Sequence, residues 1–197
     1  MKINLHKKGS LEYIVIDEMY SNKELAKIKK ELYKLLPKAN TVEVVESAIH
    51  DNGAYKKDCV SLWLDTYYSI NRNESDILKL NRKLFSAKII SPPAKFNAFF
   101  KHIPYCTFDS TLINYYKSNE KYVSHTDNCI LTALTLFELG TVKNGGISFT
   151  DYDEHIEFKD NRVVIFPGCV SHATGNILTE KNSYRVSMAQ FLNYKII

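Results

Sequence analysis

No run of about 18 or more apolar residues occurs in the 197-residue chain, so no membrane-spanning helix is expected. The first twenty residues, MKINLHKKGSLEYIVIDEMY, lack the continuous apolar stretch and small-residue cleavage site of a secretory signal, which makes the cytoplasm the expected compartment. The four cysteines, Cys59, Cys106, Cys129 and Cys169, include no CxxC pair. That spacing argues against a zinc knuckle or a redox dithiol, and Cys129 and Cys169 read as small buried thiols. There is no internal repeat, linker or low-complexity tract. Charge of one sign is also scarce: 26 Lys and Arg against 22 Asp and Glu leave +4, which permits an anionic partner without pointing to one. The cluster Lys27, Lys29, Lys30, Lys34 reads as the solvated face of a helix. What is present is the 45% hydrophobic and 24% charged content of a globular chain long enough to bury a core. A single domain spanning 1–197 is the expectation.

The texture changes along the chain. Ser21-x-x-Glu24 is a capping box, and Leu25, Ile28, Leu32 and Leu35 follow at helical spacing until Pro37. A second helix is expected from Asn73 or Ser75 to Phe85, with Val60–Tyr68 as a strand between the two. From about residue 88 short β segments take over: Thr111–Tyr116, Tyr122–His125, Ile130–Phe137, Ile147–Tyr152, Glu157–Phe158 with Val163–Phe166, and Tyr184–Asn193. Turn residues at Asn144-Gly145-Gly146, Asp160-Asn161 and Pro167-Gly168 divide them. The pattern predicts an α+β, mainly β fold, in which a helical layer from residues 1–87 packs on a β-sandwich from 88–197.

Within that frame, His125-Thr126-Asp127 puts an imidazole and a carboxylate on one face of an extended segment, since residues i and i+2 point the same way. A bare HxD pair carries little weight. His172, arriving after the buried strand Val163–Phe166, supplies a third ligand from a different strand. Two histidines and one carboxylate leave three coordination positions open, which suits Fe(II) and oxygen chemistry, whereas structural zinc wants a fourth protein ligand. Thirteen residues on, Arg185 alternates with Ser187, Ala189 and Phe191 on one strand face, opposite Val186, Met188 and Leu192. An arginine pointing inward from a strand is costly unless it meets an anion, and its planar fork fits a carboxylate.

These residues resemble the Fe(II)- and 2-oxoglutarate-dependent oxygenase superfamily, whose pattern is HxD, a distal His and then an Arg. The match runs from about residue 110 to 193. Tyr122–Asn128 resembles the prolyl 4-hydroxylase version of the iron motif, Asn144–Phe149 that branch's GG turn before a strand, and Tyr13–Asp17 with its capped helix the branch's N-terminal region. The resemblance implies a double-stranded β-helix (jelly-roll) core. It implies iron held by His125, Asp127 and His172, and 2-oxoglutarate gripped by Arg185 with Ser187, Tyr116 and Asn114. Tyr115 and Tyr116 point opposite ways on a strand, and Tyr116, nine residues before His125, is assigned to the pocket. Succinate and carbon dioxide are the implied co-products of C–H hydroxylation, with ascorbate as an accessory reductant. Two glycines of the pattern are replaced by Asn119 and Asn161, and asparagine tolerates the left-handed backbone a turn needs.

The resemblance favours a protein or peptide substrate, with proline leading. The alternatives are a small molecule, an N-alkylated nucleobase, or a non-catalytic jelly-roll binding module. The nucleic-acid repair branch carries a second Arg six residues after the first, and here that position is Phe191, so nucleic acid is not indicated. His6, His50, His102 and His155 have no partner at ligand spacing. Asp151–His155 reads as a hairpin tip, Trp63 with Tyr67 and Tyr68 as core packing, and Lys56-Lys57 as a solvated loop.

Overall fold

The computed structural model describes residues 1–41, 55–86, 88–89 and 98–194, so His50 lies outside the described residues. The chain opens with a hairpin, β1 (Lys2–Lys8) and β2 (Leu11–Asp17), followed by helix α1 (Asn22–Leu35). Strand β3 (Val60–Trp63) leads into one helical turn, α2 (Leu64–Tyr67), and then α3 (Asp76–Leu80). The remaining strands are β4 (Phe108–Tyr116), β5 (Leu131–Leu139), β6 (Val142–Asn144), β7 (Ile147–Phe149), β8 (Glu154–Ile156), β9 (Arg162–Pro167), β10 (His172–Thr174), β11 (Leu178–Thr179) and β12 (Tyr184–Asn193).

A 7-stranded antiparallel sheet in the order β1-β2-β9-β5-β12-β4-β3 forms the backbone of the fold. A 3-stranded sheet, β10-β7-β8, covers part of one face, and the pair β11-β6 closes one end. The first 87 residues therefore contribute β1, β2 and β3 to the large sheet as well as the helices. Between the two sheets lie Tyr13, Leu134, Ile147, Phe149, Val164 and Phe166, all buried. The opposite face of the large sheet carries Ile16, Ile113, Tyr115, Val186 and Met188, packed under Ile28, Leu32 and Leu35 of α1. Each fully buried Leu or Ile there contributes about 1.5–3 kcal/mol of burial free energy, which fixes the helical layer to the sheet. This is a jelly roll with a helical layer on one sheet.

Local chemistry explains the helix boundaries. Ser21 Oγ accepts from Glu24 N while the Glu24 carboxylate accepts from Ser21 N at 2.7 Å, the reciprocal capping box. Buried Glu31 of α1 accepts from Ser75 Oγ and Ile77 N, so the first helix ties down the N-terminus of α3. Two expected strands are shorter than the pattern suggested and a third is absent. Val60–Tyr68 stops at Trp63, because Leu64 turns into the core and starts α2. Ile147–Tyr152 stops at Phe149, where a 3-10 turn (Thr150–Tyr152) and a left-handed Asp153 reverse the chain. Glu157–Phe158 is not a strand; its role passes to Glu154–Ile156, with His155 inside the strand and bonded to Ser148 rather than at the hairpin tip. The second helix is split, α3 giving way to a 3-10 segment at Asn81–Phe85. Asn119 and Asn161 adopt φ of 69° and 63°, the conformation their glycine-like turns require.

Candidate metal centre and anion pocket

Tyr122–His125 forms no strand, only isolated bridges, yet those bridges place the chemistry. His125 N donates to His172 O at 3.0 Å and His172 N returns a bond to His125 O at 2.9 Å. The backbones of two candidate ligands are thus hydrogen-bonded to each other. Asp127 N donates to Gly168 O at 2.8 Å, which fixes the carboxylate's segment against the turn after β9. The ligand atoms of His125, Asp127 and His172 all lie within 4.8 Å of one another, close enough to share one metal ion.

Each donor is oriented from behind. His125 Nδ1–H donates to Val123 O (2.8 Å) and His172 Nδ1–H to Val170 O (3.0 Å), which leaves both Nε2 lone pairs facing Asp127. Thr132 Oγ1 donates to Asp127 Oδ2 at 2.5 Å. The Tyr122 ring lies flat on His125, 3.6 Å between centroids, and Phe166 meets His172 edge-on at 4.7 Å. Burial, reinforced by the neighbouring His172, pulls His125 down to about 3, so at neutral pH its imidazole is uncharged and free to bind a metal. Burial also pushes the Asp127 carboxyl above its ordinary range, against the opposing effects of His172 and Thr132. The carboxylate and the two imidazole nitrogens form a donor set that fits one metal cation.

Gly168 holds the turn close. A Cβ there would sit 2.3 Å from Cys129 O and 3.0 Å from Asp127 O, both backbone atoms. Gly168→Ala is therefore expected to lower stability by about 1–3 kcal/mol through overpacking. Because the same shift moves Asp127, metal affinity should fall with it. Thermal melts and a metal titration read the two losses, and unchanged metal affinity would show that this contact does not set the ligand geometry.

A pocket runs inward from these three residues. Arg185, Ser187, Ala189 and Phe191 of β12, Leu112, Asn114 and Tyr116 of β4, and Thr132 and Leu134 of β5 line it. Exposure graduates along the rows, from 1% at Arg185 and Tyr116 to half-buried at Phe191. All four residues expected to grip a co-substrate, Arg185, Ser187, Tyr116 and Asn114, stand on this wall in register, Arg185 opposite Tyr116 and Ser187 opposite Asn114. Tyr115 points the other way, its hydroxyl bonded to Leu32 O in the helical layer.

Arg185 is fully buried, and no acidic side chain among the described residues pairs with it. Its Nε donates to Gly145 O at 2.8 Å and its Nη2 to Gly146 O at 3.3 Å, while the ring of Tyr116 lies under the guanidinium at 5.0 Å. Nη1 has no hydrogen-bond partner among the described residues. A buried N–H left unpaired costs about 1–3 kcal/mol, more when charged, so the guanidinium is held ready for an anion. The Asn144-Gly145-Gly146 turn thus does more than reverse the chain. Its two carbonyls aim the arginine, and a Cβ on Gly145 (φ 131°) would press on Arg185 Cγ at 3.1 Å.

Several sequence expectations need correction. Cys169 is exposed and Cys129 half-buried, not both buried; all four cysteines are free. Trp63 does not join the core. It shares the pocket side of β3 with Ser61 and packs on Phe191, ring centroids 5.7 Å apart. Lys57 is buried rather than solvated, its ammonium bonded to Asn114. Strand alternation from Ser61 points to the placement of Trp63, whereas nothing local to its sequence betrays the burial of Lys57.

No model of a known protein family and no curated protein matches this sequence. Solved structures do match in fold. A prolyl-4-hydroxylase from Pseudomonas putida is 8% identical with a TM-score of 0.57, covering 95% of each chain. A prolyl hydroxylase from Trichoplax adhaerens, in complex with a hypoxia inducible factor peptide fragment, is 10% identical at a TM-score of 0.59, covering 92% of this chain and 83% of that one. The viral collagen prolyl hydroxylase of Paramecium Bursaria Chlorella virus-1, in its 2OG complex, is 14% identical at 0.52, covering 92% and 96%. At such identities the likeness is one of fold: the chain has the jelly-roll fold of the Fe(II)- and 2-oxoglutarate-dependent oxygenases, with prolyl hydroxylases among its structural neighbours.

Proposed function

We propose that the protein is an Fe(II)- and 2-oxoglutarate-dependent hydroxylase acting on a side chain of a protein or peptide, with proline the leading candidate. The observation that carries the reading is the pairing of two sites in one pocket. At one end three ligand atoms converge, and at the other Arg185 Nη1 has no hydrogen-bond partner among the described residues. A metal ion fits the first and a carboxylate the second. His125, Asp127 and His172 would hold the iron through two neutral nitrogens and one carboxylate, the donor set that suits non-haem Fe(II). Bound together there, Fe(II) and 2-oxoglutarate would activate dioxygen, one atom of which would end in succinate as carbon dioxide is released and the other in a substrate C–H bond.

The chain's own residues do the rest. Arg185, aimed by Gly145 and Gly146, neutralises and orients a carboxylate at the buried end. Ser187, Asn114 and Tyr116 add polar groups beside it. Leu112, Leu134 and Ala189 keep water from the space between the two ends. Toward the open end, Phe191 backed by Trp63 offers an aromatic wall that suits an uncharged ring better than a phosphate backbone. No helix among the described residues is long and apolar enough to cross a membrane.

Succinate formation from 2-oxoglutarate with added Fe(II) tests the class, and it is expected to rise when proline-containing peptides are supplied. Stimulation by methylated oligonucleotides and not by peptides would overturn the substrate assignment. Absence of both iron binding and 2-oxoglutarate binding would overturn the class.

A further inference from the structure

Lys57 is 3% exposed, yet no carboxylate among the described residues pairs with it. Its ammonium donates to Asn114 Oδ1 at 2.8 Å and lies 5.5 Å from the centroid of the Tyr122 ring. Burying an ammonium without an anion is costly. Burial pulls Lys57 down to about 8, so it still carries its charge at neutral pH.

The bonds beyond it form a directed chain. Asn114 Oδ1 accepts a second bond, from Ser61 Oγ at 2.7 Å, and Asn114 Nδ2 donates to Ser187 Oγ at 3.3 Å. An ammonium has donors only, whereas an amide and a hydroxyl can each turn either way. With Lys57 at the head, the amide oxygen must face the lysine and the amide nitrogen must face Ser187. The Ser187 oxygen, having accepted, is free to point its own O–H onward. Asn114 and Ser187 both line the pocket that also receives Arg185.

We propose that Lys57 is a positioning residue, which polarises the Lys57–Asn114–Ser187 chain so that the pocket wall beside Arg185 presents hydrogen-bond donors and selects a carboxylate over the corresponding amide. The inference rests on the co-substrate reading above and adds to it the residue that enforces the choice. A donor-lined wall is satisfied by an acceptor-only carboxylate. It opposes the NH2 group of an amide, and a site that leaves buried polar groups facing like partners discriminates strongly.

Anaerobic calorimetry on the Fe(II)-loaded protein, with 2-oxoglutarate and with its 5-amide 2-oxoglutaramate as probes, tests this. Lys57→Met is expected to weaken 2-oxoglutarate binding about tenfold, the worth of one charge-assisted hydrogen bond, and to leave the amide's affinity unchanged or improved. The preference for the acid over the amide therefore drops about tenfold or more. Lys57→Arg, also a donor-only cation, should restore most of it, which a merely structural role would not require. In an Asn114→Ala background Lys57→Met should have no further effect on the preference. Should Lys57→Met fail to fold, Lys57→Gln carries the test, since its amide no longer dictates the direction of the chain, and the same loss of preference is expected.

An unchanged preference in whichever of the two variants folds, or additive losses in the Asn114→Ala background, overturns the role of Lys57 while leaving the co-substrate reading standing. A wild-type protein that binds neither probe overturns the co-substrate reading itself, and this inference with it.

Discussion

Replacing His125 or Asp127 with alanine is expected to abolish Fe(II) binding and, with it, all succinate formation. Among the described residues three protein ligands converge at the site, so each supplies a third of the protein's share of the coordination. The loss should exceed the roughly 10–100-fold that removal of an outer-shell partner costs a metal site. The fold should survive. Burial disfavours the Asp127 carboxylate, so its removal relieves that cost while giving up the Thr132 hydrogen bond, and the two effects oppose each other. Metal-free Asp127→Ala is therefore expected to melt close to the wild-type temperature while binding no iron. A metal titration together with a melting curve separates the two effects. Stoichiometric iron in the Asp127→Ala protein would show that the metal is held elsewhere.

Arg185→Ala is expected to do the reverse, sparing the metal and removing the co-substrate. Truncating one partner of a buried charge pair costs about 2–5 kcal/mol, which is roughly 30- to 4,000-fold in affinity for 2-oxoglutarate. Iron affinity should change little, because Arg185 contacts the Gly145 and Gly146 carbonyls and the Tyr116 ring rather than any metal ligand. Some stability should be lost as well, since both glycine carbonyls lose their donor. Arg185→Lys should recover only part of the affinity: an ammonium keeps the charge but cannot reach both carbonyls and a carboxylate in one plane. Calorimetric titration of 2-oxoglutarate into metal-loaded protein measures the effect. A parallel fall in iron affinity would mean that Arg185 shapes the metal site instead.

Much of this site is written in local pattern. The period-2 alternation of Tyr184–Asn193 sorts Arg185, Ser187, Ala189 and Phe191 from Val186, Met188 and Leu192, and the structure sorts them the same way, pocket against helical layer. The capping box at Ser21 and the helical spacing after it locate α1 to within a residue. The HxD segment is not a strand, yet the His125–His172 bridge and the Asp127 N to Gly168 O bond hold residues 125 and 127 with their ligand atoms close together. What was not legible depends on distant chain. The hairpin strand β1 alternates weakly and is mostly exposed, so its sequence has no buried face to reveal it. Lys57 looks like any loop lysine until β3 and β4 bring Ser61 and Asn114 beneath it. The carbonyl grip of Gly145 and Gly146 on Arg185 joins residues some forty positions apart, and no composition rule encodes that meeting.

The reciprocal backbone bonds between His125 and His172 bear on how the site is loaded. Two ligands carried by separate loops ordinarily become neighbours only when an ion draws them together, and the ion's affinity is then diminished by the entropy of ordering them. Here the peptide groups bond the two segments to each other, and the carbonyls of Val123 and Val170 aim the imidazoles. The centre is a socket rather than a clasp. If the site holds iron as proposed, the ion could leave and return without the surrounding chain having to refold, and a protein stripped by a chelator should remain a competent receptor for the next ion.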